Sequence, residues 1–344
     1  MKKYCTLLVL FTFAFTCLIA TSAVAAPAAL DANRSATNAA VADEGASGMP
    51  EELIWILYGG GYVLVSLAFL YLGKLLFDFL TPFKLDDQLT EKDNPAMGIV
   101  LTGYLLAIII VICGVMTSDG ETTEGGKAVV LTFSNFAMEL VPVAIYTLVG
   151  MMFLLLSAVI NDKLILREFS NTHEVAERKN CGVAVIIAAG FLGSGLVVAG
   201  AIQGSLDWIS ALVGYVVGQV FLVFFALIYQ RATSYDDQKE LHQRKNLAVG
   251  LAFSGNLLAY SLLLMKGLTM SGGELEIIQD KLWHFGYYAI VGAVALPCLR
   301  VVNDKLFLPG VKLADEVAED RNINAGLLEA GLAVAMSAIL ITCL

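Results

Sequence analysis

Glu329 is the residue whose type and position most call for a chemical explanation. It stands seven residues past Asn322 in the apolar run 323–344, which places it roughly 10 Å into a helix at about 1.5 Å per residue. An acidic side chain near the middle of a bilayer costs on the order of 2.5–3.5 kcal/mol on insertion scales, so it is a functional candidate by default. Two chemistries fit it. One is an ion or proton site; the other is a protonated carboxyl bonded to a neighbouring helix. Asn256 and Ser254 in the run 247–269, and Gln219 in the run 208–230, are candidate interior partners through interhelical hydrogen bonds. Lys266 is expected to snorkel to the interface. Lys74, Asp78 and Arg300 lie near span ends and read as interfacial, and Glu139 and His284 read as solvated caps at the opposite ends.

Other site chemistry finds little to stand on. The histidines His173, His242 and His284 are too dispersed for a metal motif. The six cysteines form no C-x-x-C, so neither a zinc site nor a disulfide frame is expected. No nucleophile elbow, P-loop or H-E-x-x-H occurs, and no run of Lys and Arg suggests nucleic acid. The expectation is a protein without catalytic residues, metal or cofactor, whose partners are the lipid bilayer and either further copies of itself or another membrane protein.

A second pattern recurs four times. Asn94, Asn180, Asn246 and Asn322 each open an apolar run. Counting from the asparagine, position +4 is Gly98, Ala184, Gly250 or Gly326, and +8 is Thr102, Ala188, Ser254 or Ala330. Position +9 is Gly103, Ala189, Gly255 or Gly331, and +13 is Ala107, Gly193, Ala259 or Ala335. Asparagine is a favoured helix N-cap, and Pro95 after Asn94 suits the first helical position. Small residues spaced in this way make a face on which helix backbones can approach closely within lipid.

The elements that carry these residues follow from composition. The chain is 58% hydrophobic and only 15% charged, which a soluble domain would not be. Its apolar residues fall into eight blocks at about 53–80, 95–117, 137–160, 181–203, 208–230, 247–269, 282–302 and 323–344, each long enough to cross a bilayer. The blocks are continuously apolar, so they read as helices, and a β-barrel would need alternation. Ahead of them, Lys2 and Lys3, the apolar run 7–20 and Ala23-Val24-Ala25 make a secretory signal over residues 1–26, with cleavage expected after Ala25. Residues 27–50 have no apolar period and read as a flexible tail.

Charge then sets direction. Thirteen basic residues, among them Lys84, Arg178, Lys179, Arg244, Lys245 and Arg321, fall in the loops on one side, against Lys127 and Lys281 on the other and Arg34 in the tail. The positive-inside rule puts the first set in the cytoplasm, and a cleaved signal demands the same. In a bacterial inner membrane both mature termini are then periplasmic.

The halves also repeat. Val159-Ile160-Asn161-Asp162-Lys163-Leu164 recurs as Val301-Val302-Asn303-Asp304-Lys305-Leu306, at the same offset as Asn180 to Asn322. Gly61-Tyr62-Val63 recurs as Gly214-Tyr215-Val216. The expected fold is therefore all-α, with eight transmembrane helices as two parallel four-helix repeats over 51–204 and 205–344.

The stretch Asn246-Leu247-Ala248-Val249-Gly250-Leu251-Ala252-Phe253-Ser254-Gly255-Asn256 resembles the signature of the domain-of-unknown-function 350 family, and the resemblance covers 52–344 as two units in tandem. It implies a multi-pass location in the bacterial inner membrane and carries no reaction, substrate or catalytic residue. Relatives are loosely associated with envelope-stress gene neighbourhoods. Two functions are thus expected as alternatives: a channel or transporter for an ion or small solute, or a scaffold that binds a partner in envelope-stress response. A polar cavity leading to Glu329 would favour the first, and a dry, close-packed interior the second.

Overall fold

A computed structural model describes residues 51–118, 133–203, 208–269, 278–308 and 310–344. The signal and tail (1–50), and the loop residues Glu121, Glu124, Lys127, Glu274 and Glu276, lie outside the described residues, as do the side chains of Glu139 and Lys281. The helices are α1 (Glu51–Leu80), α2 (Pro95–Ser118), α3 (Phe133–Leu164), α4 (Asn171–Ala176), α5 (Cys181–Gln203), α6 (Trp208–Ala232), α7 (Asp237–Arg244), α8 (Leu247–Thr269), α9 (Ile278–Phe307), α10 (Leu313–Ala318) and α11 (Ile323–Cys343), with a π-helical turn at Asp87–Glu91 before α2. Among the described residues eight of these, α1, α2, α3, α5, α6, α8, α9 and α11, are long and apolar enough to cross a membrane.

The chain divides into two compact units. In the smaller, which contains the first part of α1 and the start of α3, Tyr58 and Tyr62 set their rings edge-on to Phe136 at 4.7 and 5.3 Å. The larger unit, Ser66–Ser118 with Val143–Leu344, holds the four asparagine helices.

Those four stand in a row. α2 packs on α5, α5 on α8, and α8 on α11. The inner pair is almost wholly buried, with 89% of the apolar window of α5 and of α8 enclosed against 17% for α1. The other long helices flank the row and turn large apolar side chains outward, such as Phe79, Met152, Val220 and Ile290. Such a surface suits lipid rather than water.

Small residues set the spacing of the row. A Cβ at Gly103 would lie 2.7 Å from Cα of Ala188, and one at Gly114 would lie 2.8 Å from Cα of Ala199. A Cβ at Gly250 would meet the backbone of Gly182, one at Gly255 that of Ala330, and one at Gly326 that of Ala248. Gly193 faces Ser261, and Ala184 is fully buried. Gly98 and Gly331 depart from the expectation, because an added Cβ would meet nothing at either. They occupy the same repeat positions as Gly250 and Gly255, but they sit on the two ends of the row, where among the described residues no further helix packs against them.

Each asparagine does more than cap its own helix. The Oδ1 atoms accept from the first-turn amides of Ala96, Gly182, Ala248 and Asn324, each at 3.1 Å. The Nδ2 atoms donate backward by six residues, to Gln88 (2.9 Å), Glu174 (2.7 Å), Glu240 (3.1 Å) and Glu316 (2.8 Å). Three of them also reach the next repeat: Asn94 to the carbonyl of Val175 (2.9 Å), Asn180 to Leu241 (2.8 Å) and Asn246 to Val317 (3.0 Å). Among the described residues, the non-glycine residues with positive φ are Asp93, Lys179, Lys245 and Arg321, each immediately before an asparagine. This left-handed residue turns the chain from the preceding short segment into the long helix. Gln88, Glu174, Glu240 and Glu316 were visible in the sequence as one residue type class at a fixed spacing, and the expectation above did not include them.

Two helices outrun their expected ends. α3 continues to Leu164 and α9 to Phe307. Polar residues there hydrogen-bond to other elements instead of opening a loop: Asn161 accepts from Gln219 of α6, and Asp304 accepts from the amide of Leu313.

Candidate functional site

Glu329 projects from α11 into a cluster built by four elements. Its side chain is 4% exposed. Oε1 accepts from Tyr229 Oη of α6 at 3.0 Å and from Asn256 Nδ2 of α8 at 3.1 Å. It also lies 2.7 Å from Nε of Arg300 on α9, and Arg300 Nη2 is 3.4 Å from Oε2. Arg300 further sits 5.3 Å from the ring centre of Tyr229, which stacks on Phe253. Arg300 Nη2 is 3.4 Å from the hydroxyl of Tyr235 in the α6–α7 connection.

Arg300 therefore corrects the reading of it as interfacial. With the seventh span ended at 302, an arginine two residues earlier looks like an end residue. In the folded helix, which runs to Phe307, it stands beside Glu329. Glu329 accordingly has a cationic partner, which neither of the chemistries expected of it included. A buried pair of this kind is held by geometry and added donors, and losing one member costs more than losing both.

The expected polar group does not gather as one site. Glu329 and Asn256 meet. Ser254 donates instead to Gly250 O of its own helix at 2.6 Å. Gln219 belongs to a separate network: its Oε1 accepts from Ser157 (3.2 Å) and Ser194 (3.1 Å), and its Nε2 donates to Asn161 (2.9 Å). The reason is azimuth for one and depth for the other. Ser254 faces its own helix at nearly the depth of Glu329, whereas Gln219 stands about 15 Å along α6 from Tyr229, the residue of that helix that reaches Glu329. Tyr229, Tyr235 and Arg300 are the members that sequence reasoning missed. Their only prior signal was polarity near the ends of apolar runs.

Space around the cluster is small. A void of about 10 Å³ lined by Asn256, Leu296, Arg300, Leu328, Glu329 and Leu332 has room for one water at most. A polar cavity of about 440 Å³ lies at the asparagine end, lined by Arg167, Gln230, Arg231, Thr233, Tyr235 and Asp237 among others. Among the described residues no group of three His, Cys, Asp or Glu side chains is placed to hold a metal ion.

The family described as Domain of Unknown Function (DUF350) matches residues 52–202 and again 205–344. The chain belongs to the DUF350 family. Its two DUF350 units are tandem and divide at the loop between α5 and α6, so it is a multi-pass membrane protein with four long helices per unit. No curated protein and no solved structure matches it. The Glu329 cluster lies wholly in the second DUF350 unit and the Gln219 network bridges the two, since Gln219 and Tyr215 come from the second while Ser157, Asn161 and Ser194 come from the first.

Two carboxyls at the asparagine end have displaced pKa values. Burial alone would push Glu174 up, but donors from Asn180, Arg178 and His242 outweigh it and hold its pKa below the ordinary value. Burial pushes Asp237 from 3.8 up to about 7, against the opposing pull of the Thr233 hydroxyl (2.6 Å) and Arg300. Since the folded pKa of Asp237 is raised, folding takes up a proton between about pH 4 and 7. Its stabilising share is present below pH 4 and lost as pH rises through 7, with a ceiling of about 4 kcal/mol from roughly 1.4 kcal/mol per unit. Asp237→Asn is therefore expected to raise the thermal midpoint in detergent at pH 8 and to flatten its pH dependence between 5 and 8. Parallel curves for wild type and variant would show that Asp237 does not titrate in this range.

Proposed function

We propose that the protein is a membrane scaffold rather than a conduit, with its asparagine ends and short helices on the cytoplasmic side. The observation that carries this reading is the row itself. α2, α5, α8 and α11 pack backbone to backbone in line, and the polar cluster at Glu329 is saturated by Tyr229, Asn256 and Arg300 with room for one water at most. A row encloses no path between its members. The asparagine clasps tie each short segment to the next repeat, which makes the asparagine end a rigid layer that suits binding more than gating. The basic loops support the orientation; a cysteine at the exposed Thr172 should be shielded from an impermeant thiol reagent in intact cells, and labelling there would reverse it.

One observation favours a second reading. Tyr235 lines the 440 Å³ cavity and, through Arg300, connects it to Glu329. The permanently charged Arg300 would hold this line in place, and Glu329 would be the group on it that exchanges a proton. Flux in reconstituted vesicles separates the two readings. The scaffold reading expects no proton or ion flux above protein-free vesicles under any imposed gradient, for wild type and Glu329→Gln alike. Wild-type flux that Glu329→Gln removes would replace the scaffold with a proton-conducting protein.

A further inference from the structure

The junctions of the row all use one pair of complementary faces. Position +9 of one helix meets +8 of the next, in Gly103 on Ala188 and Gly255 on Ala330. Position +13 meets +15, in Ala107 against Gly195 and Gly193 against Ser261. Position +20 meets +19, in Gly114 on Ala199 and Gly200 on Met265. Position +2 meets +4, in Gly182 against Gly250 and Ala248 against Gly326. Each asparagine helix thus has a leading face (+2, +9, +13, +20) and a trailing face (+4, +8, +15, +19), and every internal junction joins leading to trailing.

The two ends of the row leave one of each unused. On α2 the trailing face is Gly98, Thr102, Ile109 and Cys113; Gly98 meets nothing, Thr102 and Cys113 are exposed, and Ile109 is half-buried. On α11 the leading face is Asn324, Gly331, Ala335 and Thr342; Gly331 meets nothing, Asn324, Ala335 and Thr342 are exposed. The asparagine clasp shows the same polarity. Asn94, Asn180 and Asn246 each donate to a carbonyl of the following repeat, whereas among the described residues the Nδ2 of Asn322 donates to Glu316 of its own repeat.

We infer that the chain assembles head to tail with further copies of itself, the leading face of α11 in one copy docking on the trailing face of α2 in the next. The occupant follows from the faces themselves: the same positions make the three junctions within one chain, and the open faces keep small residues at Gly98 and Thr102 on α2 and at Gly331 and Ala335 on α11, with Ile109 and Asn324 larger than their internal counterparts. α2 and α11 also run in the same direction, so a second copy in the same bilayer orientation presents the required partner. Such a contact is heterologous, and it generates a ring if the rotation closes or a filament if it does not. This goes beyond the scaffold reading, since a conducting protein could assemble in the same way, and crosslinking and flux therefore fail independently.

The test is disulfide crosslinking in membranes, in a background whose native cysteines are replaced. The internal pairing of +13 with +15 places Ala335 of one copy opposite Ile109 of the next, and a Cβ at Gly195 lies 3.1 Å from that of Ala107 in the template junction, close to disulfide range. Ala335→Cys and Ile109→Cys are co-expressed as two differently tagged full chains and oxidised. A mixed dimer carrying both tags is expected, with no dimer from either variant alone, and a chain bearing both cysteines should give a ladder or one closed species. Adding Gly331→Leu to the Ala335→Cys chain should abolish the mixed dimer while leaving the folded monomer intact, because Gly331 has free space within its own chain. No mixed dimer, a dimer from one variant by itself, or a mixed dimer that survives Gly331→Leu would each overturn the inference. The first of these would leave lipid or another protein on the open faces.

Discussion

Gly255→Leu is expected to leave almost no folded protein in the membrane, whereas Gly331→Leu, at the same repeat position, should express and fold at the wild-type level. A side chain at Gly255 would run into the backbone of Ala330, so no rotamer change can make room. The helices α8 and α11 would have to separate, and with them the whole contact between the third and fourth repeats. Overpacking a well-packed core costs about 1–3 kcal/mol when side chains can yield, and more when backbone must move. Separation would also pull Glu329 on α11 from Asn256 on α8, which adds an unsatisfied buried group to the cost. Gly331 faces open space in its own chain, so the same substitution there meets no obstacle to folding. Folded yield by size-exclusion in detergent, with thermal unfolding of whatever survives, reads both variants. Equal yields would mean that the close junction does not determine the fold.

The second large effect concerns the ion pair. Arg300→Leu should destabilise the protein by about 3–5 kcal/mol, because it strands the Glu329 carboxylate in a site with almost no room for water. Removing both charges in Arg300→Leu/Glu329→Leu should restore most of that loss, since a buried pair replaced by apolar residues is often neutral or stabilising. The single variant Glu329→Leu falls between them, as it leaves Arg300 with Tyr235 and the face of Tyr229 as remaining partners. Thermal unfolding of the four proteins makes a double-mutant cycle. A double variant less stable than either single would contradict the pairing and point to separate roles for the two residues.

The Glu329 cluster and the row differ in how far local sequence foretells them. Glu329 announced itself because a carboxylate in an apolar run has to find partners. Which partners it found depended on the direction each neighbouring helix faces. Asn256 was within reach and Ser254, two residues away on the same helix, was not. Arg300 looks interfacial in the sequence because its surroundings depend on where α9 ends. That end is set by polar contacts made with other elements, since Asp304 accepts from the amide of Leu313 at 2.7 Å beyond the helix.

By itself the sequence determined the local and periodic features of this protein. Eight apolar runs of bilayer length are a property of composition, and so are the helices that satisfy their backbone in lipid. The asparagine caps bond to amides two or three residues ahead, within reach of any helix start, and so could be read from spacing. The small residues at +4, +8, +9 and +13 said that the helices pack closely somewhere. Only the tertiary structure decided where. Gly98 and Gly331 are equivalent to Gly250 and Gly255 in the repeat, yet they lie open because a row of four has three junctions and two ends, and position in the row is not encoded in a local motif. The pairing of Arg300 with Glu329, the separation of Gln219 from that pair, and the clasp from each asparagine to the next repeat join residues brought close only when the helices stand side by side. Their physical origin is the azimuth and register of packed helices, which hydropathy and spacing along one chain do not contain.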